Sequence, residues 1–164
     1  MLEALYRGDR EQAEEAAEGR ELDVFEAAAL GRTDRVGELL RTHPELARAY
    51  ARDGFTALHL AAFFGAPGAA RALLDYRADA DAVARNPMRV TPLHSAAAAA
   101  ERDIVRMLLD AGADPNARQE GGFTPIHAAA QNGDEELYEL LRSRGADEGA
   151  ALDDGRTVAD LRPS

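Results

Sequence analysis

The chain has no cysteine, no tryptophan and no lysine among its 164 residues. Without cysteine there is no disulfide framework, no thiolate metal site and no cysteine nucleophile. β-Branched aliphatics are scarce, at six Val and two Ile, which disfavours a sheet protein. No run approaches the roughly 18 apolar residues of a membrane span. The opening stretch MLEALYRGDREQAEEAAEGR has neither the basic nor the apolar region of a secretory signal. Serine is limited to Ser95, Ser143 and Ser164, and no Ser/His/Asp constellation stands out. Neither G-x-G-x-x-G nor a P-loop pattern occurs. These absences lead to the expectation of a soluble, cytoplasmic protein that is not an enzyme and has no membrane segment and no cofactor.

What is present is alanine, 36 of it, beside 19 Leu. The 46% hydrophobic content supports a packed core, and the length suits one domain of roughly 100–200 residues. A core built mostly from alanine draws backbones together, so thin stacked helices fit it better than a wide centre. All 19 basic residues are Arg, a sign of a GC-rich genome. The net charge of −11 opposes a nucleic-acid partner, which needs clustered cations. That charge is uneven. Residues 1–21 carry −4 and residues 123–164 carry −5, while residues 55–89 carry +1. An elongated array with solvated ends has this distribution.

The middle of the chain repeats. Phe55-Thr56-Ala57-Leu58-His59-Leu60-Ala61-Ala62 aligns with Val90-Thr91-Pro92-Leu93-His94-Ser95-Ala96-Ala97. A third copy is Phe123-Thr124-Pro125-Ile126-His127-Ala128-Ala129-Ala130. The threonines lie 35 and 33 residues apart, and another 33 reach Thr157. Leu73, Leu108 and Leu141 each fall 17 residues after their Thr, so the phase holds across the unit. Gly112-Ala113-Asp114-Pro115-Asn116 supplies a second, independent motif.

This pattern resembles the ankyrin repeat, whose period is 33 and whose signature is T-P-L-H-x-A. The resemblance covers about residues 22–161 and implies an all-α solenoid of stacked helix-turn-helix units with short β-hairpin or turn fingers. The expected division is a capping unit at 1–21, repeats at 22–55, 56–90, 91–123 and 124–156, and a half-unit at 157–164. The earlier units are degenerate: residues 22–31 keep an inner helix and its closing Gly31 but lack Thr-Pro-Leu-His, and residues 9–18 read as an acidic outer helix. The Arg-only basic composition and the family resemblance together suggest a bacterial-type member.

Local chemistry agrees with the repeat. Thr56, Thr91 and Thr124 are good N-caps, and Pro92 and Pro125 sit at the first helical position, where no N–H is missed. Gly65 and Gly133 close the inner helices, and Gly112 and Gly145 close the outer ones. The expected core contains Leu58, Leu73, Leu93, Leu108, Ile126 and Leu140. Three positions depart from the pattern. Arg77 and Ala100 stand where glycine is usual, so the helix ending at Arg77 is expected to be remodelled, and His43-Pro44 replaces a Gly-Ala. The finger between residues 78 and 90 is two residues longer than its successor, with Pro87 near its tip.

His59, His94 and His127 invite a metal triad. Equivalent positions in stacked repeats lie roughly 8–10 Å apart, whereas Zn–N bonds need about 2 Å, so the three form a row and cannot converge. The resemblance implies instead that each bonds backbone across neighbouring turns. The acids Asp134-Glu135-Glu136 and Asp153-Asp154 lack the spacing of a calcium loop and suit helix starts and solvated faces. No metal site follows.

The resemblance implies a protein-binding module whose concave face is made of residues just before each Thr and at the end of each inner helix. Here these are Tyr6, Leu30, Phe55, Phe63, Phe64, Met88, Arg89, Val90, Phe123, Gln131 and Asn132. Four of the five Phe fall on this face. For Phe55 and Phe123 two readings stand, contact with a partner or packing against their own fingers. A monomer that binds a partner protein of unknown identity is expected. The alternatives are a self-associating or assembly subunit and, more distantly, a small-ligand binder or enzyme.

Overall fold

Each of the later inner helices starts where a threonine ends the extended backbone. In the computed structural model, which describes residues 1–163, Thr56 and Thr91 have extended φ/ψ, and their Oγ1 atoms accept from the backbone N–H of His59 and His94. The histidine three residues on completes the cap, because its Nδ1 accepts from the threonine N–H at 3.2 Å for His59 and 3.1 Å for both His94 and His127. This is a capping box with imidazole in place of the usual carboxylate. The degenerate second unit solves the same problem with Asp23 and Glu26, which exchange the two bonds at 2.8 and 3.3 Å.

The helices come in antiparallel pairs, here called units. These are α1 (Leu2–Tyr6) with α2 (Arg10–Ala17), α3 (Val24–Ala29) with α4 (Thr33–Thr42), and α5 (Ala57–Phe63) with α6 (Pro67–Asp75). They continue with α7 (Pro92–Ala98) and α8 (Arg102–Asp110), then α9 (Pro125–Asn132) and α10 (Glu135–Ser143). A 3-10 turn at Ala159–Leu161 follows. Helices α3, α5, α7 and α9 stack in one inner row, and α4, α6 and α8 in an outer one. The result is the all-α solenoid. Alanines 57, 61, 62, 96, 97 and 129 are completely buried between inner helices, where only a methyl group fits.

Leu58, Leu73, Leu93, Leu108 and Ile126 are fully buried. Leu140 is not. It is half-buried, and Leu137 and Leu141 fill the core of the last unit instead. Leu141 holds the position 17 residues after Thr124, so the repeat phase identifies the core leucine and its neighbour falls outside the buried stripe.

The expected remodelling at Arg77 does not occur. Arg77 (φ 62) and Ala100 (φ 57) take the left-handed conformation that Gly112 (φ 92), Gly65 (φ 68) and Gly133 (φ 64) take elsewhere. Packing on both sides fixes the turn and overrides a local cost of order 1–2 kcal/mol. His43-Pro44 does change the local path, since a 3-10 segment at Pro44–Arg48 replaces the glycine turn.

Between units the chain runs out into a finger and back. One backbone bond closes each finger: Ala51 N–H to Phe55 O at 2.8 Å, Gln119 to Phe123 at 2.9 Å, and Leu152 to Arg156 at 2.8 Å. In the second finger the corresponding bond joins Ala84 to Val90 at 2.8 Å and encloses two more residues. Among the described residues the fingers hold no strand, only isolated bridges at Tyr50–Thr56 and Ala151–Thr157. Neighbouring fingertips are tied by backbone bonds, from Arg85 N–H to Gly54 O at 2.8 Å, Glu120 to Met88 at 3.3 Å and Asp153 to Gly121 at 2.9 Å. Gly54 has φ 87, and a Cβ there would lie 2.7 Å from the Arg85 carbonyl, so this tie requires glycine.

Candidate functional site

The fingers and inner helices enclose an apolar groove of about 360 Å³. Its floor is the row of positions four and seven residues after each threonine. In the third unit these are Leu60 and Phe63, which build a wall; in the fourth they are Ser95 and Ala98, which leave space beside it. Phe55, Val90 and Gln119 line it from the fingers, and Tyr6 and Met88 stand at its edge. The two additional residues of the second finger carry Met88 out to this position.

Exposure separates the expected face into parts. Tyr6 and Phe63 are each 45% exposed and Met88 51%, high values for large apolar side chains. Phe55, Phe64, Val90 and Phe123 are half-buried. Phe64 stacks against both Tyr6 (centroids 5.4 Å apart) and Phe63 (5.2 Å). Leu30 is not on the surface at all; it is 2% exposed. Tyr6 of the first unit and Phe64 of the third meet across the second, whose corresponding residues, Ala29 and Leu30, are both buried. Phe55 and Phe123 pack their rings against His59 and His127 of their own units, at 5.7 and 5.2 Å.

The groove unites Tyr6, Phe55, Phe63, Met88 and Val90 of the residues expected from sequence. Arg89 is exposed at the tip of the same finger, with φ 51. Gln131 and Asn132 are exposed but lie outside the groove, and the Asn132 amide donates to the carbonyls of Ala97 and Ala98 at 3.4 and 3.3 Å. Leu60, Ser95 and Gln119 are lining residues that the sequence reading missed, whereas Ala98, at the end of its inner helix, is a position where the face was expected. The signal was available: Leu60 and Phe63, like Ser95 and Ala98, are i, i+3 pairs on one helical row.

The histidines are scaffold. His59 Nε2 faces the Val90 carbonyl at 3.0 Å and His94 Nε2 faces that of Phe123 at 3.1 Å. A carbonyl only accepts, so Nε2 carries the proton and Nδ1, facing the threonine N–H, does not. Burial holds the His59 imidazole down to about 4 and lowers His94 and His127 as well, all in the neutral form. His127 Nε2 is buried without a hydrogen-bond partner. Among the described residues no group of three or more His, Asp or Glu is arranged to hold a metal ion, and no helix is long and apolar enough to cross a membrane. The acids considered for calcium are otherwise engaged. Asp134 caps α10 and pairs with Arg102 at 2.8 Å, while Asp153 and Asp154 pair with Arg118 and Arg156 at 3.0 and 2.8 Å.

Comparison with known proteins bears on the stacked repeats. Two proteins of Oryza sativa subsp. japonica are similar in sequence. One, named probable E3 ubiquitin-protein ligase XBOS31, is 42% identical over 94 residues, which is 57% of this chain and 21% of that protein. The other, named E3 ubiquitin-protein ligase XB3, is 41% identical over 99 residues, 60% of this chain and 22% of that protein. The chain therefore spans about a fifth of the length of each. Both are plant proteins, so the expectation of a bacterial type gains no support. A family model described as Ankyrin repeats (3 copies) matches residues 24–119 and 89–151. With most of its length matched, its inner helices capped by Thr-x-x-His and its units stacked in two rows, this chain belongs to the ankyrin repeat family.

Proposed function

We propose that this ankyrin array is a non-enzymatic module that holds a partner protein in the groove between α5, α7 and the second finger. Protein–protein interaction follows from the family; the groove as its site is carried by one observation. The apolar surface of Tyr6, Phe63 and Met88 is exposed around a concave hollow, on a chain whose other large apolar side chains, Tyr76 and Val83 excepted, are buried or half-buried among the described residues. The histidines that line the groove are engaged by backbone, so neither stands poised as an acid or base.

The test uses Phe63→Ser with Met88→Ser, both exposed positions that leave the fold intact. Proteins captured from host extract by the native chain should be lost by the double variant, with affinity for the captured partner falling at least tenfold, as for removal of interface anchors. Unchanged capture by a folded variant rejects the groove. Sedimentation covers the self-associating alternative, which requires a mass that rises with concentration.

The relatives favour a second reading. Both carry the name of ubiquitin-protein ligases, and an array that corresponds to a fifth of such a protein would serve to recruit the protein to be modified. This chain has no cysteine, so it supplies neither a thioester-forming nucleophile nor a thiolate zinc site of its own. Under this reading the captured partner carries ubiquitin in cells with the native chain and loses it with the groove variant.

A further inference from the structure

Acids outnumber arginines in this chain by 30 to 19, so most guanidinium groups have a carboxylate within reach. Among the described residues eleven arginines form ion pairs, and they lie before residue 36 or after residue 101. Between residues 41 and 89 there are seven arginines against five acids, and none of the seven is ion-paired among the described residues.

One of these free cations adjoins the groove, and two more stand further out on the fingers. Arg89 lies between Met88 and Val90, which both line it. Arg52 and Arg85 stand on the first and second fingertips, which are joined at Gly54 and Arg85, and the Arg85 guanidinium lies 3.8 Å from the centre of the Tyr50 ring. Arg7 adjoins Tyr6 and donates only to the Gln12 amide oxygen, at 2.9 Å. Two carboxylates share the rim. Asp53 is already occupied, one oxygen accepting from the Tyr6 hydroxyl at 3.1 Å and the other from the Phe55 N–H at 3.2 Å. Glu120, on the third fingertip, makes no ion pair with Arg89.

We infer that the groove takes a peptide segment of its partner in which large apolar residues are flanked by aspartate or glutamate. This rests on the reading of the groove as a protein-docking surface. The apolar residues fill the hollow beside Leu60 and Phe63, and the carboxylates meet Arg89 and Arg52 on the fingers beside it. The volume of about 360 Å³ suits a few anchoring side chains rather than a folded domain. Nucleic acid fits poorly, because the floor is apolar and the chain as a whole repels polyanions at net −11. A second copy of the chain carries the same repulsion.

The experiment pans a display library of random peptides against the full chain and removes sequences that also bind the Phe63→Ser/Met88→Ser variant. The survivors should be enriched in both large apolar and acidic residues. Their affinity, measured by fluorescence anisotropy, should fall about fivefold in Arg52→Ser/Arg89→Gly and weaken as salt is raised, the scale of losing exposed charge contacts. Arg89→Gly suits the backbone, because φ is 51 there. Groove-dependent survivors that are basic or uncharged, or that ignore the arginine variant, overturn the acidic-partner inference while leaving the groove as the docking site. No groove-dependent survivor at all overturns the docking reading and this inference with it.

Discussion

The third and fourth units and the last unit share one plan and differ in what they present. All begin with Thr-x-x-His at the head of a short inner helix. Four and seven residues after the threonine, the third unit places Leu60 and Phe63, the fourth Ser95 and Ala98, and the last Ala128 and Gln131. The first two combinations, a bulky wall beside a small-residue floor, make the apolar hollow. Their histidines also reach the backbone that precedes the next threonine, whereas His127 does not. The scaffold is therefore set by caps and buried aliphatics, while surface chemistry is set by two positions per helix that the scaffold leaves free.

The largest effect that separates the two regions lies in the core. Leu108→Ala, in the fourth unit, should cost about 2–5 kcal/mol in urea melts, because a fully buried leucine leaves a cavity. Leu140→Ala, half-buried in the last unit, should cost well below that. Equal losses would show that the buried stripe of α10 is misassigned.

Acid should act next. His59 is neutral when folded, with its value near 4, and protonates at its ordinary 6.5 when unfolded. The unfolded chain therefore binds more protons between these values, so its contribution is full above pH 6.5 and is lost as pH falls through 4. The loss amounts to about 2 kcal/mol by pH 5 and about 3 kcal/mol by pH 4. Urea melts between pH 7.5 and 4.5 should show this decline, and His59→Gln should flatten it. A decline of the same steepness in His59→Gln would assign it to other groups.

Smaller effects test the caps and turns. Thr91→Ala should lose roughly 1 kcal/mol, and Thr124→Ala less, because the His127 N–H bonds the Thr124 carbonyl at 3.0 Å rather than the side chain. Arg77→Gly and Ala100→Gly should each raise stability by about 0.5–1 kcal/mol, since both residues hold a left-handed conformation that glycine adopts freely. Thermal melts that show a loss at either position would mean that its side chain makes up for the strain.

The stack was legible in the sequence because it rests on local rules repeated in phase: Thr as cap, Pro at the first position, leucine at a fixed interval. Asp23 and Glu26 went unrecognised because a different pair of residues performs the same capping. The face was legible only in outline. Tyr6 and Phe63 are exposed at the ends of their inner helices and Met88 on the long finger, but Leu30 is buried because burial there depends on rings from the units on either side. Contacts two units apart have no sequence period to reveal them. The volume of the hollow was equally hidden, since it depends on the absence of side-chain bulk at Ser95 and Ala98.

The second finger closes over two more residues than its neighbours, yet the stack beneath it keeps its register. Closing a loop of five residues rather than three costs only about half a kcal/mol in chain entropy, whereas a change to a buried leucine costs several. Insertions at a fingertip are thus a nearly neutral route by which descendants of such an array can exchange one recognition surface for another. The heritable variation that redirects it to a new partner should collect at the fingertips and spare the helices.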